Sequence, residues 1–555
     1  LNAGDVVEAL VGISIATGTI YATNVNYVAP YTNAVTQTVE TKLAQTISVK
    51  DFGAKGDGVT NDTAALRAAL SASSNIYFPP GIYIVDGTDT GTLLTITNSN
   101  VTIYGSGYST TRIQAKSGVN GFNWISGDGS SHANIVIKDI WFYGNNSSRG
   151  TGEDYILTFN NMQNILVEDC RFEAALSHNT NSKAVFVTTG SLDVMIRNNS
   201  FASNGGEDIN FYGSNGSVYR CSAIGNEHYQ PQGPCIEIEG RNGTTITGYQ
   251  VYDVNIIGNT IRSDAAYASA GNQGILCIGG FNVNIEGNII DRRGTDGMAI
   301  IGSTNVNIDG NIVRDMGAVG YNGIHVTQDV FGANGIAVNI NISNNIIDSC
   351  NNCGISIFGG ETILSTVENF VVTNNICTNL TTGINATGVT NYSSSNNSFR
   401  SCSSTNYSIT ALSGAIAIMD AGNNSGFANY PSVMSQKNIN FTSSGTLTLD
   451  VSTGINTFNI DLGANVTAVN ITGNPVQGQK LCLLFLQTGS TATVTTTSSN
   501  WTTNGVADFS FPSLTVPALP GASINGRWGY IEFVYGLNTV TPNKWVMTTS
   551  QLNCG

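Results

Sequence analysis

Two glutamates separated by one isoleucine, in Cys235-Ile236-Glu237-Ile238-Glu239-Gly240-Arg241, carry the residue types of acid–base chemistry. In an extended strand alternate side chains share a face, so their attachment points stand about 6.5–7 Å apart. That spacing suits one carboxylic acid protonating a leaving oxygen while the other carboxylate activates water, the inverting route of glycoside hydrolysis. Glu207 and Asp208, in Gly205-Gly206-Glu207-Asp208-Ile209-Asn210, approach the same edge one repeat earlier. Crowded carboxylates repel, which raises one pKa and keeps an acid protonated near neutral pH. The same residues also read as a solvated acidic face balanced by Arg241. Asp296, Asp329 and Glu227 are further acids on loops beside this face. Tyr212, Arg241, His325 and Phe358 are candidates for holding a sugar. Arg292 and Arg293 could neutralise a uronate in a lyase, whose other device, a calcium loop, has no matching Asp/Asn spacing here.

These residues need a scaffold, and a repeat supplies it. Between residues 165 and 400 the unit V-x-I-x-x-N-x-I, a variable loop and G-I-x-I recurs. Its asparagine falls at 199, 226, 259, 288, 311, 345, 375 and 397, a step of about 28 residues, which is the period of a solenoid turn. No single turn buries enough apolar surface to fold alone, so parallel stacking of successive turns makes the core. The asparagines then form a ladder inside a bend, each amide satisfying backbone and its neighbour. With the isoleucines of G-I-x-I inward, the outward pairs are Phe186/Thr188, Asn210/Tyr212, Glu237/Glu239, Leu276/Ile278, Ala299/Ile301, His325/Thr327 and Ser356/Phe358. Acids and aromatics share one face, as sugar sites require.

Composition agrees with many short strands. Charged residues are 11% of the chain, against about a quarter in ordinary proteins, and there are 63 glycines. A formal charge of −15 opposes nucleic acid and anionic membrane surfaces, whose affinity rests on Lys/Arg patches. The apolar stretch Ala9 to Ala16 is too short to span a bilayer and lacks a basic leader. Leu1 in place of Met suggests trimming from a longer chain. Ten cysteines in 555 residues fall far below a disulfide scaffold, so reduced thiols are expected. The one C-x-x-C, Cys350 and Cys353, has no second pair, and the histidines are scattered. Neither metal nor other cofactor is expected.

Upstream, Asp51-Phe52-Gly53-Ala54-Lys55-Gly56-Asp57-Gly58-Val59-Thr60-Asn61-Asp62 precedes Thr63-Ala64-Ala65-Leu66, and Phe78-Pro79-Pro80-Gly81-Ile82-Tyr83 follows. Asn61 or Asp62 caps a short helix over 62–72 that closes the open end of the stack. This segment resembles the entry motif of pectate-lyase-superfamily β-helices. Residues 29–43, with Val35, Val39 and Leu43 as a narrow seam, resemble the neck before that motif in bacteriophage tailspikes. The resemblance covers about residues 25–400, and the N-T-D, D-D, G-H-G and R-I-K signatures of the polygalacturonase branch are absent. It implies an all-β fold: a right-handed single-stranded parallel β-helix with an N-terminal capping helix and a separate, sandwich-like C-terminal β domain. The expected division is 1–50 neck, 51–405 β-helix, 406–435 linker and 436–555 trimerisation domain. Trp501, Trp528 and Trp545 fall in the last. The implied protein is a homotrimeric depolymerase on the phage tail, attached to other tail or baseplate proteins. It would be assembled in the host cytoplasm and hydrolyse O-antigen or capsule at the bacterial surface. A polysaccharide lyase and a non-catalytic receptor-binding spike are the alternatives.

Overall fold

The computed structural model describes residues 21–87, 92–146, 151–175, 182–213, 216–240, 251–264, 272–317, 320–328, 337–359 and 367–410. Beyond these it describes 420–422, 436–441, 445–450, 457–462, 466–472, 480–487, 501–503, 506–507, 509–510, 527–535 and 545–552. Each turn of the chain contributes one strand to each of three parallel sheets, of 12, 14 and 13 strands. This is the right-handed parallel β-helix. The stacked strands run on past residue 405, to Thr410 in the 12-stranded sheet and Gly422 in the 14-stranded sheet.

The asparagine ladder turns each coil from the 14-stranded into the 13-stranded sheet. Asn288 is typical: its Oδ1 accepts from the backbone N and Nδ2 of Asn259, both at 2.9 Å. Its Nδ2 donates to Ile256 O at 2.9 Å and Asn311 Oδ1 at 3.0 Å. All eight asparagines are buried. The residue just before each is left-handed, for example Gly258 at φ 64° and Asn344 at φ 58°. Only glycine and asparagine tolerate that conformation readily, hence the repeated Gly-Asn and Asn-Asn dipeptides. The motif glycine of G-I-x-I has a different cause. A Cβ on Gly274, Gly297, Gly323 or Gly354 would meet the carbonyl oxygen of the next glycine in the column at 2.7 Å.

The 12-stranded sheet carries the face of interest. Eight of its strands carry that face and are labelled here in chain order: β1 (Lys183–Thr188), β2 (Glu207–Tyr212), β3 (Ile236–Glu239), β4 (Ile275–Ile278), β5 (Met298–Ile301), β6 (Ile324–Thr327), β7 (Cys353–Phe358) and β8 (Thr382–Thr387). Adjacent strands pair in the register that the repeat predicts.

At the N-terminal end the helix α2 (Thr63–Ala72) covers the first turn with Leu66 and Ala69 buried. Asn61 Oδ1 accepts from the Thr63 N–H at 3.1 Å, while the Asp62 carboxylate turns away to hold the Lys55 and Gly56 N–H groups. Before it lies α1 (Val39–Leu43), capped by Thr38, with Val35 and Leu43 exposed. After the coil come two further sheets, of six and four strands. Gln436–Phe441, Thr457–Leu462 and Lys480–Gln487 still pair in parallel, and Arg527–Tyr535 then returns antiparallel.

Candidate functional site

Glu237 and Glu239 project outward from β3, beside Asn210 and Tyr212 of β2. Glu237 is 6% exposed and accepts a hydrogen bond from Asn210 Nδ2 at 2.9 Å. Burial holds its carboxyl well above the usual range, and the charges of Glu239 and Glu207 add to the effect. Lys183 opposes the shift, and a hydrogen bond with Glu207 reinforces it. Glu207 Oε2 lies 2.9 Å from Lys183 Nζ, with both side chains largely buried. Three carboxyl groups thus meet one lysine, and burial among them favours the protonated form of Glu237.

Aromatic rings continue this face on the N-terminal side. Tyr155 and Phe186 lie 5.7 Å apart, and Phe186 stacks on Tyr212 at 5.8 Å. Such a ladder offers apolar faces with polar tips, the surface that pyranose rings pack against. On the C-terminal side Leu276, Ile278 and Ala299 are buried, and His325 of β6 follows in the same row as Glu237. Phe358 lies further along the row of Glu239 and is 40% exposed.

Several expected site residues have other duties. Asp208 points into the coil, not into the groove: it is fully buried, accepting from Asn204 Nδ2 at 2.7 Å and paired with His228 Nδ1 at 2.8 Å. His228 caps an interior column of rings, Phe142, Phe172 and Phe201, stacking on the last at 4.8 Å. The strict inward/outward alternation assumed for β2 fails at its first residues, where Glu207 and Asp208 precede the regular pattern. Arg293 is also buried, donating to Asn272 O, Pro231 O, Gly233 O and Ser263 Oγ. It is a structural cross-tie and not a uronate ligand. Arg292 sits between Asp291 and Asp315, at 3.7 and 3.9 Å. Glu227 belongs to the 13-stranded sheet. Arg241 and Asp329 lie outside the described residues, as do the side chains of Trp501, Trp528 and Trp545.

Among the described residues, one group has metal-ligand proximity: Asp208, His228 and Cys235, with ligand atoms within 4.8 Å of one another inside the coil. Burial pushes the Cys235 thiol up to about 12, so it stays protonated. Cys350 and Cys353 are buried free thiols, pushed up to about 12 and 11. Residues that sequence reasoning left without a role include Lys183 and Asn210. Strand alternation gave no signal for Lys183, since it would place that residue on the inward side with Val185, and the ion pair across turns had none either.

The profile of the family described as rhamnogalacturonase A/epimerase, pectate lyase-like matches residues 46–260, and that of the right-handed β-helix region matches 178–364. Alginate lyase 7 of Azotobacter vinelandii is 46% identical over 79 residues, 13% of this chain and 9% of that protein. Mannuronan C5-epimerase AlgE5 of the same organism is 39% identical over 109 residues, 18% of this chain and 11% of that protein. The chain thus spans about a tenth of the length of these curated relatives. Among solved structures, the catalytic unit of a GH87 α-1,3-glucanase from Streptomyces thermodiastaticus superimposes with a TM-score of 0.50 at 16% identity, covering 69% of each chain. That likeness is one of fold.

Proposed function

We propose that this chain, a pectate-lyase-like right-handed β-helix, is a bacteriophage tailspike that hydrolyses a bacterial surface polysaccharide within the chain. Glu237 is the proton donor to the leaving glycosidic oxygen, and Glu239, two residues on along the same strand, activates water on the opposite face of the sugar. The observation that carries this reading is the Glu237 carboxyl: buried, flanked by Glu207 and Glu239, and raised in pKa by that burial on an outward face beside stacked rings. Asn210 fixes its orientation. Lys183 pairs with Glu207 at 2.9 Å and holds that carboxylate next to the donor.

Lyase and epimerase occur among the relatives' names, so hydrolysis rests on this chain's own residues. Elimination from a uronate needs a cation on its carboxylate, and both arginines considered for that task are engaged elsewhere. The tail location draws support from the neck and entry motifs. The homotrimer draws support from an outward isoleucine row, Ile289, Ile312, Ile346 and Ile376, whose last two members are over 40% exposed. Burial of such a row between copies is the ordinary outcome.

The test is incubation with polysaccharides from a panel of bacteria, followed by product sizing. A hydrolase yields shorter chains with new reducing ends, and a lyase yields ultraviolet-absorbing unsaturated uronates. A receptor-binding spike yields neither. Light scattering reads the trimer directly.

A further inference from the structure

A second constellation lies on the same face, three turns beyond Glu237 or roughly 14 Å along the axis. It is unused by the glycosidase reading. Asp296, in the turn entering β5, is 5% exposed. Its Oδ1 accepts from Asn322 N at 2.7 Å and Asn322 Nδ2 at 3.0 Å, and its Oδ2 faces His325 Nδ1 at 3.2 Å. Asn322 is itself held one turn further on, its Oδ1 accepting from Asn352 Nδ2 at 3.0 Å and Cys353 N at 3.2 Å. Three successive turns therefore cooperate to place one carboxylate behind one imidazole. His325 remains open to the groove, with 29% of its side chain exposed.

Register supplies the other partners. Ser356 of β7 pairs with His325, and Asn385 of β8 pairs with Ser356, so the three side chains follow one another in a single outward row. Neighbouring members are one strand spacing apart, about 4.8 Å. With Nδ1 committed to Asp296, the second ring nitrogen is the free acceptor, which is what a base acting on a hydroxyl needs. A buried carboxylate behind the ring stabilises the imidazolium formed when the ring takes a proton. An amide on the far side of the hydroxyl is a donor for a developing oxyanion.

We propose that Ser356, His325 and Asp296, with Asn385 as oxyanion donor, form a serine acyl-hydrolase centre that removes ester-linked acyl groups from polysaccharide hydroxyls. Ser356 Oγ attacks the ester carbonyl and its proton passes to His325. The tetrahedral intermediate collapses, the sugar oxygen leaves with the proton from His325, and the acyl group stays on Ser356. Water, deprotonated by His325, then attacks the acyl-serine. The products are the free carboxylic acid and the regenerated serine, with no oxidant or cofactor. Asp296 acts as a positioning residue throughout. The proposal stands independently of the glycosidase reading, because the two centres share no residue.

The experiment uses the full chain with 4-nitrophenyl acetate and a chemically O-acetylated polysaccharide, alongside a serine-directed fluorophosphonate probe and peptide mass spectrometry. The probe labels Ser356. Ser356→Ala and His325→Gln each lower acetate release by about 10²-fold or more, and chain cleavage through Glu237 is unchanged in Ser356→Ala. Asp296→Asn lowers kcat for acetate release and slows fluorophosphonate labelling of Ser356 with KM little changed; a purely structural Asp296 leaves kcat and labelling per folded molecule in place. Absence of labelling and of ester hydrolysis in the wild type overturns the proposal. So does acetate release by Ser356→Ala at the wild-type rate.

Discussion

Replacing Asn288 by alanine tests whether the ladder holds the coils together. The substitution deletes four hydrogen bonds: two accepted from Asn259 and two donated, to Ile256 O and Asn311 Oδ1. Asn259 Nδ2 keeps a second acceptor in Ala223 O, and Asn311 Oδ1 keeps the backbone N–H of residue 288. The Asn259 N–H has its bond to Asn288 alone in the ladder and is left buried without it. An orphaned buried donor costs about 1–3 kcal/mol, and each of the other lost bonds about 0.5–1.5 kcal/mol. The sum is about 2.5–7.5 kcal/mol, large for one side chain. Asn284→Ala is the control: that asparagine also bridges turns, to Asn307, but on the outer surface, and its loss costs under about 0.5 kcal/mol. Urea unfolding followed by fluorescence measures both. Equal, small losses for the two variants would refute the argument that buried amide satisfaction, and not merely stacking, sets the stability of the coil.

Three other outcomes follow from the site. Glu237 binds its proton more tightly folded than unfolded, so the wild type loses stability as pH rises above the ordinary carboxyl range; thermal melts at about pH 4 and about pH 9 should show Glu237→Gln gaining on the wild type only at the higher pH. Asp208→Ala strands His228 in the core and should cost about 3–5 kcal/mol in chemical unfolding. Turnover per folded molecule should be retained in that variant. Phe186→Ala removes the middle ring of the outer ladder and should raise KM roughly tenfold, about 1.4 kcal/mol, with kcat little changed in steady-state assays.

The coil was legible because its repeat exposes two periods at once, alternation within strands and asparagines from turn to turn. That is why the outward rows of Glu237 and Glu239, from Phe186 to Phe358, are legible in the sequence alone. What stayed hidden lies where alternation breaks. Asp208 and Arg293 sit beside bends, where one residue of slip turns a side chain from groove to core. His228 is isolated in sequence yet closes an aromatic column, since its neighbours Phe201 and Phe172 are one and two turns away. The Asp296–His325 pair was visible only as two separate polar residues. Its geometry depends on Asn322 and Asn352, which lie in turns of irregular length.

The central claim is that Glu237 and Glu239 act as acid and base, and one measurement addresses it most directly. Glu237→Gln and Glu239→Gln are assayed on the host polysaccharide that the wild type shortens, counting new reducing ends, with binding and melting recorded in parallel. Each variant should lose turnover by about 10²-fold or more while still folding and binding the polymer. Cleavage by both at the wild-type rate, or products bearing an unsaturated uronate, would contradict it.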